Sequence, residues 1–277
     1  MKYYLGENFS QSFYLKELKE TKGTGQVLFS FASASSIEKA LGILEYMSPE
    51  AEFIIDSGAF SAWNSGKEID REELLKFYKA IRARFPNAHF INLDKIPGER
   101  GRKPTREEAR EACEISWENY LWFKKNGIVT LPVFHENDDF TFLYRMMKDT
   151  DYIAISPAND SSTKRRMVWL DKVFKILKAD YKTHGLAATS HALLKKYPFY
   201  SVDSINWKAP VLYGGNSSKI KGIDKDKISM LVREKGYREI MMRKEIETYV
   251  QLQDKITKLW KTRGVDWDKW EQKRNSK

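Results

Sequence analysis

The feature that most constrains the fold of this 277-residue chain is a series of short apolar stretches that each end in a polar or ionisable residue. The clearest is Phe53-Ile54-Ile55-Asp56, which is followed by Ser57-Gly58. Consecutive apolar residues without alternation are typical of a strand covered on both faces, as in a parallel sheet. Asp56 then lies at the carboxyl end of the strand, where parallel α/β folds place their functional residues. A single Asp at this position is equally typical of a turn cap. A functional role for Asp56 is therefore indicated only if other strands end in the same way.

The pattern recurs and predicts eight strands, most of them followed by a segment with helical spacing. Alternating strands and helices indicate a (β/α)8 TIM-like barrel, with an open doubly wound sheet as the alternative. The first 25 residues show no clean period. The strands are predicted at 26–31, 53–56, 89–94, 129–135, 152–156, 184–188, 199–203 and 209–213.

Capping residues mark several helix starts, among them Asp70, the capping-box pair Thr105 and Glu108, and Ser161. Beyond Gly214-Gly215 the pattern is long and helical to about Arg263. We therefore expect a catalytic barrel over residues 1–215 and a helical extension over 216–277 that packs on it.

Charge is unevenly distributed along the chain. Its net charge is +10, and residues 219–277 carry 17 Lys and Arg against 10 Asp and Glu, so +7 lies in this last segment. A basic segment next to a nearly neutral body favours a polyanionic partner, although a solvated helical face of mixed charge gives the same count.

Cysteine content and hydropathy indicate the cellular environment of the protein. The single cysteine, Cys113, excludes an internal disulfide and a cysteine-rich metal site, and it is predicted to be a small core residue within a helix. Residues 1–13 lack the apolar core of a signal peptide, and no apolar run approaches the ~20 residues that span a bilayer. We expect a soluble cytoplasmic protein without a membrane partner.

The strand ends supply a set of candidate catalytic groups. Asp56, Asp94, the pair His135-Glu136, Ser156 and Asp203 would converge on one mouth of a barrel. Two carboxylates beside an anomeric carbon can break a glycosidic bond, one as nucleophile and one as proton carrier, as in a sugar hydrolase. A third carboxylate can accept hydrogen bonds from the N1–H and 2-amino edge of guanine. Metal catalysis is less favoured because no tight ligand motif is present.

Basic and aromatic residues near the strand ends predict contacts with nucleic acid. Two aromatic residues, Trp63 and Trp207, follow Asp56 and Asp203 and could stack on a flipped base, although core packing is the commoner role of Trp. The predicted phosphate contacts are Lys164, Arg165, Arg166, Arg102 and Lys208.

Several of these segments resemble the tRNA-guanine transglycosylases. Asp56-Ser57-Gly58-Ala59-Phe60-Ser61 resembles the Asp-Ser-Gly-Gly-Phe-Gln strand end of that family. The segment from Gly185 through Tyr200-Ser201-Val202-Asp203 resembles the stretch that leads to the family's Phe-Asp-Cys nucleophile, and Phe90–Pro97 resembles the strand end that contacts the base. The similarity spans roughly residues 26–215.

The resemblance implies an activity and roles for individual residues. Asp203 would be the nucleophile on C1′, and Asp56 the acid and base that assists guanine departure and then deprotonates the incoming base. Asp94 would bind the N1–H and 2-amino edge, and His135 with Ser156 the O6 side. The resemblance also places Glu136, Ser57, Gly58 and Gly185 at the substrate, and it implies no cofactor.

Differences from the family pattern bear on whether the expected substrate is DNA or tRNA. The Cys₃His zinc subdomain of that family has no counterpart here, because no cysteine follows Cys113. The Gln-Gly-Gly and Gly-Gly-Leu segments are replaced as well. A short zinc-free barrel is similar to the phage-type relatives that exchange guanine for a 7-deazaguanine such as preQ0 in DNA. The alternatives are a tRNA-guanine transglycosylase and a non-catalytic nucleic-acid-binding barrel.

Overall fold

The computed structural model describes residues 1–10, 12–48, 51–98, 102–157, 162–209 and 236–275. Its strands and helices alternate along most of the chain. The strands are β1 Lys2–Glu7, β2 Gln26–Ser30, β3 Glu52–Asp56, β4 His89–Phe90, β5 Val133–His135, β6 Tyr152–Ser156, β7 Lys182–Gly185 and β8 Ser201–Ser204. The helices are α1 Phe13–Glu20, α2 Ile37–Met47, α3 Ala59–Asn64, α4 Arg71–Arg84, α5 Arg106–Lys125, α6 Phe140–Asp149, α7 Thr163–Leu177, α8 His191–Lys196, α9 Tyr237–Thr262 and α10 Trp267–Asn275.

All eight strands are parallel and form one curled sheet in the order β4-β3-β2-β1-β8-β7-β6-β5. An isolated parallel bridge between Ile91 and Leu131 joins the segments next to the two outer strands, β4 and β5. In this bridge the Leu131 amide donates to the Phe90 carbonyl at 2.7 Å, and the Asn92 amide donates to the Leu131 carbonyl at 2.9 Å. The chain therefore has a TIM-barrel-like α/β fold, as the alternation of strands and helices predicts.

The strands bury apolar side chains on both faces of the sheet. Tyr3, Phe29 and Ile55 belong to the large cluster that includes the helices. Their neighbours Tyr4, Leu28 and Ile54 belong to a smaller cluster on the opposite, inner face. Because successive side chains alternate between faces, every second residue beyond Ile54 also points inward. This alternation directs Asp56 into the mouth of the curled sheet.

The first strand is a correction to the sequence prediction. Residues 1–25 show no clean period, yet Lys2–Glu7 is β1 and lies at the centre of the sheet between β2 and β8. A strand buried on both faces lacks the alternation that marks an exposed one, and Tyr3, Tyr4 and Leu5 are all buried.

Of the strand predicted at 209–213, the structure describes only Ala209, which has helical backbone angles. Residues 210–213 lie outside the described residues. The strand predicted seventh, at 199–203, is instead β8. With β1 included, the described strands again number eight.

The predicted caps at Asp70 and Thr105 are confirmed. Asp70 accepts hydrogen bonds from the Glu72 and Glu73 amides, and Thr105 and Glu108 form the reciprocal capping box of α5. In α7 the cap is Ser162, one residue after the predicted Ser161, which lies outside the described residues. Cys113 is buried in α5 as predicted.

Helix α9 packs against the start of the chain. Met242, Ile246 and Trp260 are buried in the large core cluster. The Trp260 indole N–H donates to the Leu194 carbonyl at 2.9 Å, and the Gln253 side-chain oxygen accepts from the Tyr3 amide at 2.6 Å. None of the helices in the described ranges is long and apolar enough to cross a bilayer.

Candidate active site

Four of the predicted residues lie at the carboxyl ends of four strands. Asp56 ends β3, His135 ends β5, Ser156 ends β6, and Asp203 is the third residue of β8. The register pairs His135 with Ser156 on neighbouring strands. Alternation places all four on the inner face, in line with the inner-core residues Ile54, Val133, Ala154 and, across the β1–β8 register, Tyr4.

Asp56 is held by two hydrogen bonds to one of its oxygens. The Gly58 amide donates to Asp56 Oδ2 at 2.8 Å, and the Ser30 hydroxyl donates to the same oxygen at 3.3 Å. Burial, followed by the charge of Asp94 and then that of Asp203, raises the pKa of Asp56 to about 7, although both hydrogen bonds oppose the shift. Asp56 can therefore gain or lose a proton near neutral pH, as a general acid and base must. Asp56 therefore lies close enough to Asp94 and to Asp203 for the charge of each to act on it.

Gly58 is required by the local backbone. Its φ of +80° lies in the left-handed region, and this conformation directs its amide toward Asp56 before α3 begins at Ala59. A side chain here would also collide, since a Cβ atom would lie 2.6 Å from Ala32 Cβ and 3.0 Å from the Ala32 nitrogen. Ser57, its neighbour, is buried, and its hydroxyl accepts from the Ala59 amide.

Substitution of Gly58 by Ala should lower the free energy of unfolding by about 2–4 kcal/mol, because left-handed strain and a steric collision add. Gly66→Ala is the matched control, since Gly66 also has a positive φ (+66°) but has open space around the position of a Cβ atom. The control should cost about 1 kcal/mol. Urea denaturation of both variants measures the difference, and equal losses would contradict the steric argument.

Asp94 and His135 form a close pair. His135 Nε2 lies 2.7 Å from Asp94 Oδ2, and the two side chains are only 18% and 8% exposed. Burial lowers the pKa of His135, but the hydrogen bond to Asp94 and the charges of Asp94 and Asp138 outweigh it and raise the pKa to about 9. At neutral pH His135 is therefore a cation that fixes one oxygen of Asp94.

Asp138 is a member of this group that sequence reasoning missed. Its Oδ2 accepts a hydrogen bond from the His135 amide at 2.7 Å. Burial raises the pKa of Asp138, while His135 and the Cys113 thiol lower it. Asp138 lies in a turn three residues beyond His135, and its side chain accepts from an amide that precedes it in the chain, which is not the pattern of an Asx turn.

Asp203 is held from two sides. The Ala187 amide donates to Asp203 Oδ1 at 3.0 Å. His184 Nε2 lies 3.3 Å from the same oxygen, but outside hydrogen-bond geometry. His184 is fully buried, and its Nδ1 contacts the Ser201 hydroxyl at 2.7 Å, which in turn contacts the Tyr152 hydroxyl at 2.6 Å. A buried chain of polar groups thus lies beside Asp203.

The structure gives less support for a substrate role of the other two predicted residues, Gly185 and Glu136. A Cβ atom on Gly185 would lie 2.9 Å from Ala188 Cβ and 2.9 Å from the Phe199 ring, so its missing side chain points away from the inner face. Gly185 therefore serves packing, with only its backbone near the mouth. Glu136 follows β5 and lies 3.9 Å from Arg165 Nε.

The predicted phosphate-binding residues are dispersed. Lys164, Arg165 and Arg166 lie in the first turn of α7, where Lys164 and Arg165 are exposed. Arg102 forms a two-pronged ion pair with Glu108, at 2.9 and 2.5 Å, and its hydrogen bonds are the largest cause that lowers the pKa of Glu108 to about 2. The segment before Arg102, residues 99–101, lies outside the described residues.

Lys208 is buried rather than displayed on the surface. Its ammonium lies 2.9 Å from Glu7 Oε1, and that oxygen also accepts from the Asn8 amide at 2.8 Å. Both side chains are nearly inaccessible to solvent. We therefore do not include Lys208 among the candidate phosphate contacts.

A double-mutant cycle checks this placement. Lys208→Met should lower the free energy of unfolding by about 3 kcal/mol, because it leaves the buried Glu7 carboxylate without its counter-charge. Adding Glu7→Gln should restore most of the loss, since Gln keeps an oxygen for the Asn8 amide. Urea denaturation measures both effects. A variant with wild-type stability but weaker DNA binding would instead make Lys208 a phosphate contact.

The two Trp residues singled out by the sequence have different environments. Trp207 is fully buried, and its indole N–H donates to the Gly6 carbonyl at 2.9 Å, so it is a core residue. Trp63 lies in α3 and lines a cleft of about 430 Å³. Asp94 lines the same cleft, which joins Trp63 to the candidate site.

No protein-family model matches the chain, and a search of curated proteins finds no match. Within the described ranges, no group of three or more His, Cys, Asp and Glu side chains is arranged to hold a metal ion.

Proposed function

We propose that this protein is a pentosyltransferase, a guanine transglycosylase that replaces guanine in DNA with a 7-deazaguanine base such as preQ0. The observation that carries the proposal is the environment of Asp56. Its pKa of about 7 is raised by burial and by the charges of Asp94, which lies four residues after β4, and of Asp203 on β8. In this proposal Asp56 is the proton carrier, Asp203 the nucleophile and Asp94 the carboxylate that binds the base.

The chemistry is a double displacement at C1′. A carboxylate oxygen of Asp203 attacks C1′ as the bond from C1′ to N9 of guanine breaks, and Asp56 transfers its proton to the departing base. The product is a glycosyl ester on Asp203. The ionised Asp56 then takes the proton from N9 of the incoming base, which attacks C1′ and releases Asp203. One glycosidic bond replaces another, so the reaction consumes no oxidant or reductant.

The Asp94–His135 pair suits recognition of the exchanged base. We assign Asp94 to the N1–H and 2-amino edge of guanine, because a carboxylate is a pure acceptor and this edge only donates. The positively charged His135 serves the O6 acceptor side, with Ser156 on the neighbouring strand. Guanine and 7-deazaguanines share this edge, so one pair serves both the leaving and the incoming base.

The choice of DNA over tRNA depends on the resemblance to the phage-type enzymes and on charge. The chain carries a net charge of +10, which favours a polyanion in either case. Residues 114–277 contain no cysteine, unlike the segment that carries the Cys₃His zinc site in the tRNA enzymes, and this favours the DNA substrate in our proposal. A tRNA substrate is the second outcome that the experiment must distinguish.

The decisive experiment supplies the full chain with DNA or tRNA, each carrying labelled guanine, together with preQ0. We expect labelled guanine to leave the DNA, and mass spectrometry of the digested DNA to show the 7-deazaguanine nucleoside. Exchange in tRNA alone would replace the DNA proposal. Binding of either polymer without exchange, with preQ0 and related 7-deazaguanines as donors, would favour the non-catalytic barrel.

A further inference from the structure

A pair of aromatic residues on α3 lies next to the candidate site. Phe60 is four residues beyond Asp56 and is 57% exposed, which is unusual for a Phe side chain. Its ring centroid is 6.0 Å from that of Trp63, with the two planes inclined by 34°. We refer to Phe60 and Trp63 as the aromatic step.

The Trp63 ring is held in place before any ligand binds. Its indole N–H donates to the Gly98 carbonyl at 3.1 Å, and the side chain is half-buried. A ring that is already fixed loses little conformational freedom when another ring stacks on it. The Trp63 ring is therefore preorganised for stacking with a planar group.

The cleft beside Trp63 shares one lining residue, Asp94, with the candidate site. It has a volume of about 430 Å³, and both Trp63 and Asp94 line it. Leu93, Ile96 and Ile115 supply further apolar surface. A volume of this size exceeds what one flipped base needs, so the cleft has room for a group next to the base that Asp94 holds.

The charged residues around the cleft are mainly basic. Lys67 and Lys95 are exposed, and the Arg71 guanidinium lies over the Trp122 ring at 4.7 Å. Glu68 is the acidic residue of the lining besides Asp94, whose charge is matched by His135. Aromatic surface combined with basic residues is the usual composition of sites for unpaired nucleic-acid strands.

We propose that the aromatic step and its cleft bind the nucleotide adjacent to the exchanged guanosine, with its base stacked on the step and its phosphate near Lys67 and Lys95. The inference depends on the proposed function of the same site. Stacking on the step requires the neighbouring base to be unpaired and unstacked. The preferred substrate is therefore single-stranded or locally opened DNA, and the subsite tolerates any base because every base has a stacking face.

The test measures binding and needs no base exchange. Wild type and Phe60→Ala are titrated with a fluorescent single-stranded oligonucleotide containing one guanine, and with copies that lack the base on its 5′ or 3′ side. We expect Phe60→Ala to weaken binding of the intact strand about tenfold. Against one of the two abasic strands the same substitution should have little effect, because the stacking partner is already gone. Tyr144→Ala, which removes an exposed ring on α6, is the matched control and should leave all affinities unchanged.

The outcomes separate this inference from the function it depends on. Equal weakening of intact and both abasic strands by Phe60→Ala, or no weakening of any, would overturn the subsite even if base exchange is observed. Coupling between Phe60 and one neighbouring base, with no exchange from any donor, would keep the subsite and remove the transglycosylase. Tighter binding to a fully paired duplex than to the single strand would also contradict the inference.

Discussion

Replacing Asp203 by Asn should reduce guanine exchange by ~10³-fold or more while the fold remains intact. An amide oxygen is a poor nucleophile, so the glycosyl ester cannot form. The substitution keeps the size of the side chain, and the Asn oxygen can still accept the hydrogen bond from the Ala187 amide that holds Asp203 Oδ1 at 3.0 Å. Loss of activity would therefore report chemistry and not unfolding.

Two measurements check this expectation. Incorporation of labelled base into DNA gives the rate, and acid quenching followed by mass spectrometry detects the protein–oligonucleotide adduct, which wild type should form and Asp203→Asn should not. Asp254→Asn, the same change at an exposed position on α9, is the control and should behave as wild type. Full exchange by the Asp203 variant would exclude Asp203 as the nucleophile.

Replacing Asp56 by Asn should abolish exchange and at the same time stabilise the protein above neutral pH. The pKa of Asp56 is about 7 in the folded chain, against about 3.9 for an unfolded Asp. The folded state thus holds this proton more tightly than the unfolded state. Between about pH 4 and 7 the contribution of Asp56 to stability falls as pH rises, and above 7 the burial of its charge is fully unfavourable.

The size of the gain follows from the shift in pKa. Each pKa unit corresponds to about 1.4 kcal/mol, so the gain for Asp56→Asn at about pH 8 should be 2–4 kcal/mol. Near pH 4 the difference should approach zero, because the wild-type carboxyl is then protonated and resembles the amide. Urea denaturation of both proteins at the two pH values measures it, with Asp254→Asn as control. A variant that is less stable than wild type at about pH 8 would contradict the raised pKa.

The positions of the strand-end residues were accessible from the sequence because they depend on local patterns. An apolar run that ends in Asp56-Ser57-Gly58 specifies a strand, its end and a glycine turn within a few residues. The caps at Asp70 and Thr105 are equally local. Such features can be predicted from the sequence because the residues that determine them are neighbours in the chain.

The partners of the strand-end residues were not accessible, because they come from distant parts of the chain. His184 and Ser201 support Asp203 through contacts that exist only after β6, β7 and β8 are paired. Lys208 meets Glu7 across 201 residues. No spacing rule connects such residues, so Lys208 resembled a surface cation until the burial of both partners was known.

The sequence analysis missed strand β1 for a different reason. Its buried residues alternate between the two core clusters, with Tyr3 and Leu5 in one and Tyr4 in the other, so that no polar face marks the period. A central strand with apolar residues toward both faces is the least distinctive pattern in a parallel sheet.

The hydrogen bond between the Tyr3 amide and the Gln253 side chain joins residues 250 positions apart. A ribosome that adds roughly 5–20 residues per second delivers the second partner some 12–50 seconds after the first. During that interval β8, the strand that covers one edge of β1, is also unavailable for most of the time. The centre of the sheet is thus completed only after Gln253 has been synthesised, and the apolar residues Tyr3 to Leu5 stay partly uncovered until then.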